Sequence, residues 1–186
     1  MRVFIGIRPD GEALTRLERE TAPLRREFPD FKWVDPGNRH LTLRFLGELR
    51  PADADKLCRR LKSTPPAPDP IPLEINRLGG FPDDSAPRVI WAGIQDSPLL
   101  NNLFNRLEEI LESLGIPRET RMFHPHITLA RTRRGQPAPR RLAERLRAAP
   151  RRIAAFRVKA VTVFQSVLFP EGPRYSILEE ISLDPT

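Results

Sequence analysis

Two tetrapeptides in this chain pair an imidazole with a hydroxyl: His40-Leu41-Thr42-Leu43 and His126-Ile127-Thr128-Leu129. Along a β-strand, side chains alternate between faces. The His and Thr of each copy therefore project together, and the two aliphatic residues back them toward a core. Imidazole titrates close to neutral pH, so one copy can take a proton from a nucleophile while the other gives one to a leaving group. Threonine hydroxyls can donate to the non-bridging oxygens of a phosphate, where charge has to be held. In-line displacement at phosphorus needs nucleophile and leaving group on opposite sides, and two histidines on opposed walls of a cleft supply that arrangement. The copies lie 86 residues apart in a chain of 186, near half its length, which suggests two halves related by a pseudo-twofold. Because the copies are nearly equivalent, the residues leave open which histidine is acid and which is base.

A metal centre is the competing chemistry. Zinc takes three or four protein ligands, and His124, two residues before His126, could serve as a third. No carboxylate is tied to either motif, however, and the single cysteine, Cys58, falls in an expected helix. The expectation is a site without metal, with His124 at its rim beside Pro125. The chain also has no Walker A sequence, no Gly-x-Gly-x-x-Gly and no Gly-x-Ser-x-Gly, so no cofactor is expected.

The elements that must hold the motifs can be read from periodicity. Alternation at Val3, Ile5 and Ile7 predicts a central strand. Asp10 caps a following helix, which Pro23 should kink or end. Strands are expected at 31–34 and 40–46, split by the turn Asp35-Pro36-Gly37, and a helix at 51–63 with Leu57 and Leu61 inward. The proline-rich stretch 63–72 is expected to be a rigid loop within one domain. Further strands are expected at 73–81, 89–94 and 126–131. An amphipathic helix is expected over 97–114, ended by Gly115, and a short arginine-rich helix over 139–148. Two strands, 158–168 and 175–183, close the chain around the turn at 170–173. Strands and helices mix without strict alternation. That argues for an α+β fold with antiparallel sheets lining a central cleft and helices outside, in one domain spanning 1–186.

Composition narrows the partners. Net charge is +7, the sequence pI is about 10.6, and only four of the 31 basic residues are lysine. Arginine excess fits a phosphate-rich partner, because guanidinium matches phosphate oxygens with paired hydrogen bonds, and it equally fits a genomic or thermal bias in residue usage. Arg131, Arg133, Arg134, Arg140 and Arg141 could form a basic edge, or simply a solvated face. One cysteine allows no internal disulfide, no apolar run is long enough for a membrane helix, and no export signal is visible. A cytoplasmic monomer with no membrane partner is the default expectation.

Beyond the two motifs, the segments 3–7 (VFIGI), 40–49 (HLTLRFLGEL), 123–131 (FHPHITLAR) and 164–178 (FQSVLFPEGPRYSIL) follow one another in an order that resembles the 2H phosphoesterase superfamily. Within it, the chain is most similar to the RNA 2′,3′-cyclic phosphodiesterases, also called 2′-5′ RNA ligases. The resemblance spans essentially the whole chain and implies a bilobal α+β domain with the site between pseudo-symmetric lobes. It implies metal-free opening of an RNA 2′,3′-cyclic phosphate end to a 2′-phosphate. His40 would be the proton donor, His126 the general base, and Thr42 and Thr128 the phosphate ligands. It also assigns Phe45 to nucleobase stacking and Arg131 to the phosphate pocket. Each lies five residues beyond its histidine, an offset that in a regular strand points to the opposite face. A bulge or strand end must re-aim them, or else they serve core and surface. Arg174 and Tyr175 would lie near the rim or support the fold. Reversible 2′-5′ RNA ligation as the main role, a non-catalytic RNA-end binder, and a phosphodiesterase for small cyclic nucleotides are the alternatives.

Overall fold

A computed structural model describes residues 1–132, 139–170 and 172–184. Among these, nine strands and four helices alternate irregularly. Strand β1 (Arg2–Ile7) leads through helix α1 (Gly11–Glu27) and the short β2 (Lys32–Trp33) to β3 (Leu41–Glu48) and α2 (Pro51–Ser63). The chain continues through β4 (Ile71–Phe81), β5 (Val89–Ile94), α3 (Pro98–Ser113) and β6 (His126–Arg131). It finishes with α4 (Arg141–Arg147), β7 (Ala154–Val158), β8 (Ala160–Phe169) and β9 (Gly172–Ser182). All pairings among these strands are antiparallel. The sheet order is β7-β4-β5-β6-β3-β1-β8-β9, with β2 added to β6.

That order places four strands on each side of a seam between β6 and β3, the two strands that carry the histidine motifs. The seam pairing is short, Leu41 opposite Ile127. One residue, Lys159, separates β7 on one edge of the sheet from β8, which pairs with β1 and β9 on the other half. Consecutive Cα atoms are about 3.8 Å apart, so the sheet must curl until its far strands approach each other. The strand expected over 158–168 is β8, which starts at Ala160; β7, just before it, was not expected. The pairing partner changes at Lys159, from β4 for β7 to β1 and β9 for β8.

Side-chain alternation sorts the core from the cleft. Val3, Ile5 and Ile7 are buried together with Leu41, Leu43, Ile127 and Leu129 in one core with the inward faces of the helices. Leu57 and Leu61 of α2, and Leu100, Leu103, Leu107, Ile110 and Leu111 of α3, complete that layer. Asp10 caps α1 by accepting from the Ala13 amide, and Ser97 caps α3 by accepting from Leu100. Pro23 neither ends nor replaces the last turn of α1, which runs on to Glu27. Thr21 and Leu24 are buried on its inner face, so tertiary packing outweighs the ladder bond that proline removes. Gly115, at φ +81°, follows α3 in the left-handed conformation expected of a helix terminator.

The two motif strands share one irregularity. In β3, Ile5 lies opposite Arg44 and Gly6 opposite Thr42, leaving Leu43 as an extra residue. In β6, Ile90 lies opposite Ala130 and Trp91 opposite Thr128, leaving Leu129 extra. Each bulge falls three residues after its histidine, and each reverses the parity of the strand residues beyond it. Phe45 therefore lies opposite Phe4, and Arg131 opposite Val89, on the same face of the sheet as the histidines and threonines.

Candidate active site

His40 precedes β3 by one residue and His126 opens β6, so both stand at the seam. Their local settings match. His40 Nδ1 is 2.7 Å from the carbonyl of Asn38, and His126 Nδ1 is 2.6 Å from the carbonyl of His124. A carbonyl only accepts, so in both rings Nδ1 carries the proton and donates it, and Nε2 is left to exchange protons. The carbonyl of Asn38 is fixed by the preceding turn, where the Asp35 carboxylate accepts from the Gly37 amide. His124 thus contributes its backbone to orienting His126. Among the described residues, no cluster of three or more His, Cys, Asp or Glu side chains is arranged to hold a metal ion.

Aromatic rings back both imidazoles. Phe4, Phe164 and Tyr175 lie 4.7, 5.8 and 5.2 Å from His40, and Phe81 and Trp91 lie 5.0 and 6.4 Å from His126. The burial this imposes pushes both imidazoles below their usual range. The carbonyl bonds oppose the shift, while neighbouring His126 adds to it for His40, and Arg131 and His124 add to it for His126. Both rings are therefore mainly neutral at pH 7 in the free protein.

A cavity of about 370 Å³ brings the residues together. His40, Thr42, Phe45, His126, Thr128 and Arg131 all line it. Among the described residues neither threonine hydroxyl is used in a protein hydrogen bond, and Arg131 has no carboxylate partner, so these groups can turn to a ligand. Phe45 is 63% exposed, which rules out a core role. Tyr175 and Arg174, placed by sequence at the rim or in support, line the cavity. Tyr175 also packs edge-on to His40, and Arg174 lies 4.4 Å over Phe169.

Of the expected basic edge, Arg131 faces the cavity, while Arg141 is engaged elsewhere: it pairs with Glu27 and lies over the Phe28 ring. Arg133 and Arg134 lie outside the described residues.

Sequence reasoning missed Trp33, which lines the cavity from β2, and the rings behind the histidines other than Tyr175. A signal for the latter existed. Phe4-Ile5-Gly6-Ile7 and Trp91-Ala92-Gly93-Ile94 lie 87 residues apart, almost the spacing of the histidines, and form the strands beside β3 and β6. The glycine in β1 lets the histidine strand approach. A Cβ on Gly6 would lie 2.8 Å from the Leu41 carbonyl oxygen and 3.5 Å from the His40 ring.

The fold and this two-histidine cleft define a class before any particular relative is considered: an α+β protein built from two similar halves, each contributing one His-x-Thr strand to a shared cavity. The family model for LigT-like phosphoesterases matches residues 7–91 and 93–175, one stretch for each motif. The chain belongs to that family. Relatives named RNA 2′,3′-cyclic phosphodiesterase include one from Aeropyrum pernix, 32% identical over 81% of this chain and 85% of its own. Another, from Archaeoglobus fulgidus, is 30% identical over 96% of this chain and 98% of its own. A relative of the same name from Geobacillus stearothermophilus is longer, and the chain spans 56% of it at 30% identity. Among solved structures, TT0787 of Thermus thermophilus superposes with a TM-score of 0.77 at 32% identity, over 100% of this chain and 99% of that one. Escherichia coli LigT complexed with 3′-AMP gives 0.73 at 25% identity over 97% of both chains.

Proposed function

We propose that this protein hydrolyses RNA 2′,3′-cyclic phosphate ends to 2′-phosphates, with His40 and His126 as a general acid–base pair and no metal. The observation that carries the reading is the matched pair of imidazoles on one cavity, each with Nδ1 tied to a carbonyl and Nε2 free. Water attacks phosphorus and gives a proton to His126 Nε2. The bond from phosphorus to O3′ breaks, and His40 Nε2 supplies the proton that O3′ needs. Thr42, Thr128 and Arg131 hold the non-bridging oxygens as charge builds on them. Phe45 stacks on the terminal base, a contact available because the bulge at Leu43 turns the ring into the cavity. An anionic phosphate between the rings favours their charged forms, offsetting the burial that keeps them neutral in the free protein.

The names of the relatives support the substrate, and the basic character of the chain suits an RNA strand. Which oxygen leaves is tested by the product. A short RNA with a 2′,3′-cyclic phosphate end should yield a 2′-phosphate, resolved by its resistance to a 3′-specific phosphatase. A 3′-phosphate would mean that O2′ is the protonated leaving group and would contradict the proposed reaction.

A further inference from the structure

Counting outward from the seam, the two halves of the sheet match strand for strand: β3, β1, β8 and β9 on one side, β6, β5, β4 and β7 on the other. The rings behind the histidines follow that match only in part. Phe4 on β1 answers to Trp91 on β5, and Phe164 on β8 answers to Phe81 on β4. Tyr175 on β9 has no counterpart, because the aromatic residue of β7, Phe156, belongs to the buried core. Tyr175 is also the only tyrosine in the chain. Its ring packs edge-on to His40 at 5.2 Å and lines the cavity. Among the described residues its hydroxyl makes no hydrogen bond, so it can turn to a ligand. Burial holds the phenol above its usual range, against the pull of Arg131, and it therefore keeps its proton at neutral pH.

The two sides of phosphorus make different demands. The attacking water arrives with protons to give up, whereas O3′ departs with negative charge building on it and calls for donors. Thr42, Thr128 and Arg131 are assigned to the non-bridging oxygens. That leaves His40 as the one donor for O3′, and burial makes its imidazole reluctant to hold the proton it must deliver. A phenol donates a hydrogen bond without carrying charge. We infer that Tyr175 is a further catalytic residue of this reaction: its hydroxyl donates to O3′ beside His40, on the leaving-group side alone. This rests on the roles assigned to the histidines under the proposed function. The step is balanced. As the bond from phosphorus to O3′ breaks, its electron pair stays on O3′ and accepts the proton from His40 Nε2, while Tyr175 keeps its own proton throughout. An ester oxygen is a poor acceptor and a departing one is a good acceptor, so the contact acts on the transition state more than on bound substrate.

Tyr175→Phe deletes one oxygen and keeps the ring, and Tyr175→Leu removes both. Single-turnover hydrolysis of a short RNA with a 2′,3′-cyclic phosphate end would be followed over a range of enzyme concentrations. In Tyr175→Phe the limiting rate should fall about 10- to 100-fold, the loss expected for one hydrogen bond to a developing charge. The enzyme concentration giving half that rate should stay within about twofold of wild type, and the urea midpoint should not move. Tyr175→Leu should be at least as slow. A normal limiting rate in Tyr175→Phe would overturn the role, and with Tyr175→Leu alone impaired it would reduce Tyr175 to packing behind His40. Weaker half-saturation at an unchanged limiting rate would also overturn it, leaving a contact made equally to bound substrate and transition state. No turnover by the wild type would sink the proposed function and this inference together. Wild-type turnover with Tyr175→Phe indifferent would sink the inference alone.

Discussion

At the scale of single residues, the site depends on side chains that burial has made reluctant to carry charge. Both imidazoles are held below the usual range, first by desolvation. A lowered pKa moves each titration limb toward acid. The bell-shaped profile of kcat/KM, which reports the free enzyme, should therefore peak below about pH 6.5. A maximum above about pH 7.5, with chemistry rate-limiting, would contradict this. Arg131 contributes to the depression at His126, so Arg131→Gln should move that limb to higher pH while also slowing the reaction if the proposed phosphate contact is lost. A fall in rate with no movement of the limb would separate Arg131 from His126. Phe45 makes a simpler prediction. Its ring is exposed in the cavity, and base–aromatic stacking is worth about 1–3 kcal/mol, so Phe45→Ala should raise KM roughly 5- to 150-fold with little loss of kcat. An unchanged KM on RNA would remove the stacking role.

At the scale of elements, the histidines and threonines were legible in the sequence because a period of two puts them on one face without any tertiary information. Phe45 and Arg131 came only from the resemblance, because strict parity sends them to the wrong side. The deciding events are the bulges at Leu43 and Leu129, and a bulge is set by how two strands pair rather than by either strand alone. The same limit hid β7, whose partner β4 belongs to the other half of the sheet from β8. Pro23 failed as a helix breaker for a related reason: burial of Thr21 and Leu24 acts across the molecule, and local propensity does not register it. Close approach of β1 to β3 is itself testable. A methyl at position 6 would meet the Leu41 carbonyl at 2.8 Å, where backbone must shift. Gly6→Ala should cost about 1–3 kcal/mol in chemical denaturation, and it should impair turnover more than binding by displacing His40. A fully stable Gly6→Ala protein would mean that the strands have slack here.

At the scale of the whole molecule, two arginines flanking the first motif tie the site to the outer layer. Arg39, its side chain fully buried, bonds Glu18 of α1 at 2.6 Å and so fixes the chain just before His40. Arg44 reaches Glu108 on α3 at 3.1 Å and Glu119 at 3.0 Å, while Glu108 accepts from the Glu119 amide at 2.7 Å. That network links β3 to the loop that leads into β6, and so connects the two histidine strands through the helical layer. Glu108→Ala would leave Arg44 partly unpaired in a nearly dry site and should destabilise by about 3 kcal/mol, seen as a lower midpoint in urea. The described residues contain no helix long and apolar enough to cross a membrane. The proposed catalysis requires two histidines acting as a pair across the seam. Single-turnover rates on a cyclic-phosphate RNA, with EDTA present, would test that most directly in the wild type, His40→Ala, His126→Ala and the double variant. The expected result is full wild-type activity, a loss of about 10²- to 10⁴-fold in each single variant, and a double variant far less impaired than the product of the two losses. Activity abolished by EDTA and restored by a divalent metal, or near-normal rates in either single variant, would contradict the mechanism.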